Sequence, residues 1–291
     1  MYESRPSLSR LRDLAAPRWK GEPAEGQSIL LYCEQGFGDA LQFLRYAPLV
    51  RERARAGRMI LDCHPELEPL LTQSFRGEME ITPRRRGDDS AFPKTDWHLP
   101  LLSAPLALGI LEPLPMPEPY LHADSGQRTI WRERLGSAEE FRVGLAWKGF
   151  PRHPRDRARS MAREGLLPLV NVPGVRLYSL QVGASAVEGA SMAAAGIIDL
   201  APQIGDFADT AAIVAELDLA ISVDTAVAHL AGGLGRPVWT LLSFAGEWRW
   251  GIAGESTPWY PSMRLFRQAS PGEWKPVLRR VAEELASLAT A

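Results

Sequence analysis

"DFADTAAIVAELDLAISVDTAVAHLAGGLGRPVWTLL", residues 206–242, changes its hydrophobic period three times. Residues 206–217 repeat at helical spacing, and Asp206 stands where an N-cap belongs. "DLAISV" (218–223) is a short, continuous apolar run, which reads as a strand covered on both faces. Residues 225–235 return to helical spacing, and "PVWTLL" (237–242) is a second buried strand. Buried strands that alternate with helices in this way argue for a parallel sheet covered on both faces.

The same alternation extends outward in both directions. Upstream lie strand-like "FRVGLAW" (141–147), "VRLYSLQ" (175–181) and "IIDL" (197–200); downstream, 271–289 forms an amphipathic closing helix. In the first half, "ILLYC" (29–33), "RMILDC" (58–63) and "MEIT" (79–82) read as strands. Residues 39–54 read as a helix with Leu41, Leu44, Leu49 and Val50 near one face and a kink or break at Pro48. "ELEPLLTQS" is a short helix, 84–90 a polar loop, and "DWHLPLLSAPLAL" a strand followed by a helix. Prolines at 113, 115, 117 and 119 make 111–121 a stiff, extended end to the first domain. The resulting division is a lead-in over 1–27, an N-terminal domain over 28–121, a linker over 122–140, a C-terminal domain over 141–270 and a final helix over 271–291. The expected class is α/β, with two doubly wound parallel domains.

Composition narrows the function. A 291-residue chain with 45% hydrophobic and 23% charged residues has the makeup of a globular protein with real cores. Its net charge of -2 gives no broad surface for nucleic acid or anionic membrane, so any bound anion needs a local basic patch. Cys33 and Cys63 lie in or at the end of strand-like runs and read as reduced, buried thiols. No apolar stretch approaches the roughly 18 residues of a membrane span. The polar N-terminus is not a signal peptide, and cytoplasm is the expected location.

Ligands of open α/β sheets sit at the carboxyl ends of strands, beside helix N-termini. Three stretches meet that condition. In "LLYCEQGFGDALQFLRY" (31–47), Gly36 and Gly38 suggest a dinucleotide loop, but Leu41 replaces the third glycine and weakens an NAD-dependent reading. Asp39 then either caps its helix and offsets the dipole, or acts as a general base, with Glu34 as the other candidate. "WKGFPRHPRDRARS" (147–160) sets Lys148, Arg152, Arg155, Arg157 and Arg159 against one acid, Asp156. It is a phosphate-pairing loop or a solvated basic one; a nucleic-acid contact is the weaker alternative, because the patch is short and the chain slightly acidic. In 221–242, Asp224 ends a strand and is expected to cap the next helix, leaving Thr225 and the first amides facing outward. His229 shares a helix face with Thr225, as a core histidine or a site residue. Trp248, Trp250, Trp259 and Tyr260 suit a sugar or base face, or the packing of a long loop.

"EQGFGDALQFLRYAPL", "VGLAWKG", "RLYSLQ" and "DFADTAAIVAELDLAISVDTAVAHLAGGLGRPVW" together resemble the glycosyltransferase domain that follows tetratricopeptide repeats in many bacterial proteins. That domain is similar to the heptosyltransferases (glycosyltransferase family 9) and more distantly to protein O-GlcNAc transferases. The resemblance covers residues 18–288. It implies a GT-B architecture: two Rossmann-like doubly wound domains with an interdomain cleft, the first for the acceptor and the second for the donor. It also implies a metal-independent, inverting transfer from a nucleotide-sugar to an acceptor hydroxyl, by analogy one on a protein, with no cofactor. Asp39 takes the place of the family's base, in a loop with Gln35, Gly36 and Gly38. Asp224, Thr225 and His229 fall on its donor motif, where Ala226 replaces a glycine. The family's phosphate-binding basic group falls on Lys148 or one of the arginines after it, Arg152 among them. Apart from the resemblance, Gln181 is placed with the donor-side residues and Trp248 and Trp250 as sugar or loop aromatics. The repeats themselves are absent from this sequence, which implies a fragment or a stand-alone version with 1–20 as a remnant linker; a repeat region is the implied partner. The chain contains no Asp-x-Asp, the usual sequence of a metal-dependent glycosyltransferase site. A degenerate module that binds a nucleotide or a protein partner without turnover is the alternative, favoured by Ala226.

Overall fold

The computed structural model describes residues 14–84, 92–136 and 139–290. The first part of the expected lead-in (1–13) and most of the polar loop (85–90) lie outside the described residues. The chain divides into two compact units, one ending at Met116 and including Tyr120–His122, the other comprising Pro117–Pro119 and everything from Ala123 onward.

The first unit contains β1 (Ser28–Tyr32), α1 (Phe37–Phe43), α2 (Ala47–Ala54), β2 (Arg58–Cys63), α3 (Glu68–Ser74), β3 (Glu80–Pro83), β4 (Trp97–Pro100) and α4 (Ala104–Leu108). Its strands are all parallel, in the order β3-β2-β1-β4. Ile29, Leu30, Leu31 and Tyr32 are buried, as a central strand covered on both faces requires. The break expected at Pro48 is present: a 3-10 turn over Leu44–Tyr46 separates α1 from α2. Pro48 sits in the first turn of α2, where its missing N–H leaves no bond unmade, so it starts a helix rather than kinking one.

Two parts of this unit have no local period to announce them. Trp19 is fully buried, its amide donates to the His98 carbonyl (2.9 Å), and Arg18 bridges to His98, so residues 17–19 run beside β4. Arg45 is also fully buried; it donates to the carbonyls of Gln42 (2.8 Å) and Leu114 (3.0 Å) and to the Tyr120 hydroxyl (3.4 Å). Tyr120 in turn donates to the Leu41 carbonyl (2.9 Å). The proline-rich stretch is thereby fastened to α1 by one guanidinium and one phenol.

The second unit contains α5 (Ser125–Arg134), β5 (Phe141–Ala146), α6 (Asp156–Arg159), α7 (Leu167–Val170), β6 (Val175–Ser179), α8 (Ala186–Ala194), β7 (Ile198–Asp199), α9 (Phe207–Glu216), β8 (Leu219–Val223), α10 (Ala226–Gly233), β9 (Val238–Leu242), β10 (Met263–Arg267) and α11 (Trp274–Ala289). The sheet is parallel throughout, in the order β10-β9-β8-β5-β6-β7. All five residues of β8 are buried. Val143, Leu145, Trp147, Ile221, Val223, Leu241 and Phe266 form a core that Leu278, Val281 and Leu285 of α11 close at helical spacing.

Helix α5 lies inside the stretch read as a linker. Asp124 caps it by accepting from the Gln127 amide (2.9 Å), Trp131 is buried, and Arg128 and Arg132 pair with Glu216 on α9 (2.7 Å each). It is therefore part of the second unit. Strand β10 was not expected, because Arg264 and Arg267 interrupt its apolar run; Arg264 pairs with Glu255 (3.0 Å) and Glu284 (2.8 Å). Among the described residues no helix is long and apolar enough to cross a membrane.

Asp206 caps α9 as expected, accepting from the amides of Ala208 (2.7 Å) and Asp209 (3.1 Å). Replacing Asp206 with Ala removes both bonds and is expected to lower stability by about 1 kcal/mol. Urea denaturation midpoints measure this, and an unchanged midpoint contradicts the capping role.

Candidate functional site

The first unit offers the turn between β1 and α1. The Cys33 amide donates to the Asp62 carbonyl (2.9 Å), carrying the β1–β2 ladder one residue past the strand. Both carboxylate oxygens of Glu34 then accept backbone amides, from Leu101 and Leu102 (3.1 Å each). The Gln35 carbonyl accepts from His64 Nε2 (2.7 Å), and the Phe37 ring meets His64 edge-on at 5.0 Å. Gly36 precedes the helix in extended conformation (φ -75°, ψ 172°). Neither Gly36 nor Gly38 has positive φ, and a Cβ at Gly36 would meet no atom within 4 Å. Gly36 therefore keeps the surface before the turn clear; it is not a response to a backbone that only glycine can adopt.

Asp39 lies in the first turn of α1, half-buried. Asp62, placed as the ribose-binding acid of a dinucleotide site would be, is buried and paired with Arg84 at 2.6 Å. Both thiols are free; burial raises the Cys33 pKa and pushes that of Cys63 to about 12, so neither is a nucleophile at neutral pH.

In the second unit the loops after β5, β6, β8 and β9 carry the expected donor-side residues. Gln181 Oε1 accepts from the amides of Trp147 (3.1 Å) and Lys148 (2.8 Å), bracing the start of the basic loop. The Lys148 ammonium pairs with Glu188, and that contact, with the Ser185 bonds, lowers the Glu188 pKa to about 2. Glu188 belongs to a capping box with Ser185 at the start of α8. Arg152 and Arg157 are exposed. Arg155 pairs with Glu247 (3.1 Å) and donates to the Ala245 carbonyl. Arg159 donates to the Asp224 carbonyl (2.9 Å) and approaches Asp156 (3.4 Å). Because β5, β8 and β9 are neighbours in that order, a loop that leaves β5 and ties to the loop after β9 passes the end of β8.

Asp224 does not cap α10. The N-cap is Thr225, which makes no side-chain capping bond, and its hydroxyl lies 3.1 Å from that of Ser222. Asp224 comes one residue too early to cap; its carboxylate is turned inside (7% exposed), with Oδ1 3.9 Å from His229 Nε2. Burial raises the Asp224 pKa, and the guanidiniums of Arg249 and Arg159 oppose that rise in part. His229 is buried, with Nδ1 2.9 Å from the Tyr260 hydroxyl and its ring stacked on Trp250 at 5.3 Å. Trp250 is only 2% exposed, so it backs His229 and offers no face to a sugar; Trp248, half exposed, packs edge-on against Trp259. Thr225, Ala226 and Val227 at the helix start are half-buried. Ala226 retains its amide, so the change from glycine leaves the first-turn donors intact.

Sequence reasoning did not single out Tyr260 as the partner of His229, nor His64, Glu188 or Glu247. The Ser185-x-x-Glu188 spacing was a readable capping box. The other three meet their partners across 29 to 92 residues of chain, beyond any local pattern. Among the described residues no group of three or more His, Cys, Asp or Glu is arranged to hold a metal ion.

No family model matches the chain. It is 31% identical over 324 aligned positions to Protein FlbA of Caulobacter vibrioides, covering all of this chain and 52% of that protein. The chain thus spans about half the length of the curated relative it matches. Among solved structures, it resembles the E. coli ADP-heptose lipopolysaccharide heptosyltransferase II (TM-score 0.62, 16% identity, 90% of this chain and 98% of that one). It also resembles a glycosyl transferase family 9 protein from Veillonella parvula (TM-score 0.63, 11% identity, 93% and 98%). A third is E. coli heptosyltransferase WaaC with ADP-2-deoxy-2-fluoro heptose (TM-score 0.56, 12% identity, 91% and 100%). At these identities the likeness is one of fold: an α/β chain with two parallel sheets, as in GT-B glycosyltransferases.

The raised Asp224 pKa has a measurable consequence. The folded chain holds this proton more tightly than the unfolded one, so stability is greatest below the unfolded pKa and declines as pH rises through the higher folded value. Asp224→Asn is therefore expected to melt at or above the parent's temperature at neutral pH. The difference should close as pH falls toward about 4. Thermal melts across this range test it; a variant less stable at neutral pH, by a margin that acid does not change, contradicts the burial argument.

Proposed function

We propose that this chain is a glycosyltransferase that moves a sugar from a nucleotide-sugar to an acceptor hydroxyl with inversion and without a metal ion. The observation that carries the reading is the convergence at the end of β8, where Arg159 holds the Asp224 carbonyl and Thr225 opens α10 beside a buried Asp224–His229 pair. Such an end offers amide donors and a positive dipole to a departing diphosphate. The fold shared with heptosyltransferases supports the same assignment.

The acceptor oxygen attacks the anomeric carbon as its proton passes to Asp39. The bond from that carbon to the diphosphate oxygen breaks, and its electron pair leaves with the nucleotide. Asp39 is taken as the base because it falls on the family's base in the resemblance; both Glu34 oxygens accept backbone amides. Arg159 and the first turn of α10 meet the charge of the leaving group, with Lys148 at the rim. The acceptor is an alcohol, and a protein hydroxyl is the candidate that follows from the resemblance to repeat-linked enzymes.

Binding without turnover is the rival, and two observations favour it: Ala226 stands in place of a glycine, and Glu188 neutralises Lys148. Calorimetric titration with UDP-, ADP-, GDP- and CMP-sugars, followed by assays of hydrolysis and transfer, separates the two. The transferase reading expects one donor to bind and turn over. It also expects Asp39→Asn to lose about 10²–10⁴-fold in rate with donor affinity nearly unchanged. Binding with no turnover supports the rival, and no binding of any nucleotide-sugar overturns the transferase reading and the nucleotide-binding form of the rival.

A further inference from the structure

The turn that carries Asp39 is held from both sides by groups that belong to the neighbouring strands. β1 lies between β2 and β4. On the β4 side, Glu34 accepts the amides of Leu101 and Leu102, which open the 3-10 turn Leu101–Ser103. On the β2 side, His64 donates to the Gln35 carbonyl, and Phe37 packs edge-on against the imidazole. A carbonyl can only accept, so His64 Nε2 carries the proton in this contact. Four residues separate Glu34 from Asp39 in sequence; the Glu34 carboxylate, the Gln35 carbonyl and the Phe37 ring are all engaged.

Each of these contacts also satisfies a group that a helix end or a loop leaves open. The Leu101 and Leu102 amides belong to a first turn, where no helical carbonyl precedes them. A serine or asparagine cap would meet that need without a carboxylate. Glu34 instead spans from the end of β1 to the end of β4 and accepts both amides at once, so it links two loops rather than merely ending a helix. Hydrogen bonds to an ionised carboxylate are roughly twice as strong as neutral ones.

We propose that Glu34 and His64 are positioning residues, which fix the Gln35–Asp39 turn between the ends of β2 and β4 so that Asp39 is presented in one place. The proposal rests on the assignment of Asp39 as the base. Its physical content is that a carboxylate on a loop contributes fully to proton transfer only when its loop is held, since misplacement by about 1 Å costs roughly 100-fold in rate.

The test uses the full chain and four variants: Glu34→Gln, Glu34→Ala, His64→Gln and His64→Ala. With the donor identified by the nucleotide panel, kcat and donor KM are measured, along with hydrogen exchange of the amides of residues 36–43 in the absence of ligand. The alanine variants are expected to lose about 10- to 100-fold in kcat with donor KM within about twofold, and to exchange faster over 36–43. His64→Gln, which keeps a donor, should recover most of the loss and most of the protection, and Glu34→Gln, which keeps one of the two acceptor oxygens, should recover part of each. If an alanine variant fails to fold, the glutamine variant at that position still decides. Glu34→Gln as inactive as Asp39→Asn makes Glu34 the base and overturns the proposal, as does unchanged exchange in variants that have lost either bond. If no donor turns over, faster exchange keeps the brace and removes Asp39 as a base, whereas unchanged exchange removes the brace.

Discussion

The parallel ladder that joins β8 to β5 on one side and β9 on the other sets where chemistry can occur in the second unit. Because every strand of this sheet runs the same way, each following loop emerges at the same edge. The loops after β5, β8 and β9 must therefore be neighbours, whatever their length. Arg155 and Arg159 use that adjacency: one ties the loop after β5 to that after β9, the other holds the carbonyl at the end of β8. In the first unit the ladder does the same for β2, β1 and β4, and Glu34 and His64 connect the ends of those strands.

Burial is the cost of these arrangements. Asp224 is enclosed with its ionised form disfavoured, and guanidiniums nearby recover only part of the loss. His229, on α10 itself, is held by the Tyr260 hydroxyl and the Trp250 ring. Gly232, one turn farther along α10, leaves space for Tyr260: a Cβ there would come within 2.5 Å of the ring. Replacing buried polar groups of this kind with well-packed apolar ones of similar volume is often neutral or stabilising.

How much of this was legible in the sequence follows from the range of each interaction. The alternation of 206–242, the Asp206 cap and the break at Pro48 depend on residues a few positions apart, and all three were readable. So was the α/β class, because crossover helices between buried strands leave few topologies. Trp19 beside β4, helix α5 on α9 and strand β10 with its paired arginines depend on partners far along the chain, and no local period marks them. At the site, the residues Asp39, Asp224, Thr225 and His229 could be picked out by their positions after strands. Their partners could not: that Asp224 faces inward instead of capping, that Trp250 backs His229, and that Glu188 takes Lys148 are facts of packing.

The central claim is that the nucleotide diphosphate is held at the end of β8, not at the glycine-flanked turn after β1. A crystal structure of the full chain grown with the nucleoside diphosphate of its preferred donor tests this directly. The account predicts diphosphate oxygens within hydrogen-bond distance of the Thr225–Val227 amides and the Arg159 guanidinium, with the turn at Gln35–Asp39 free of phosphate. A diphosphate seated on the amides of Gly36–Asp39 contradicts it.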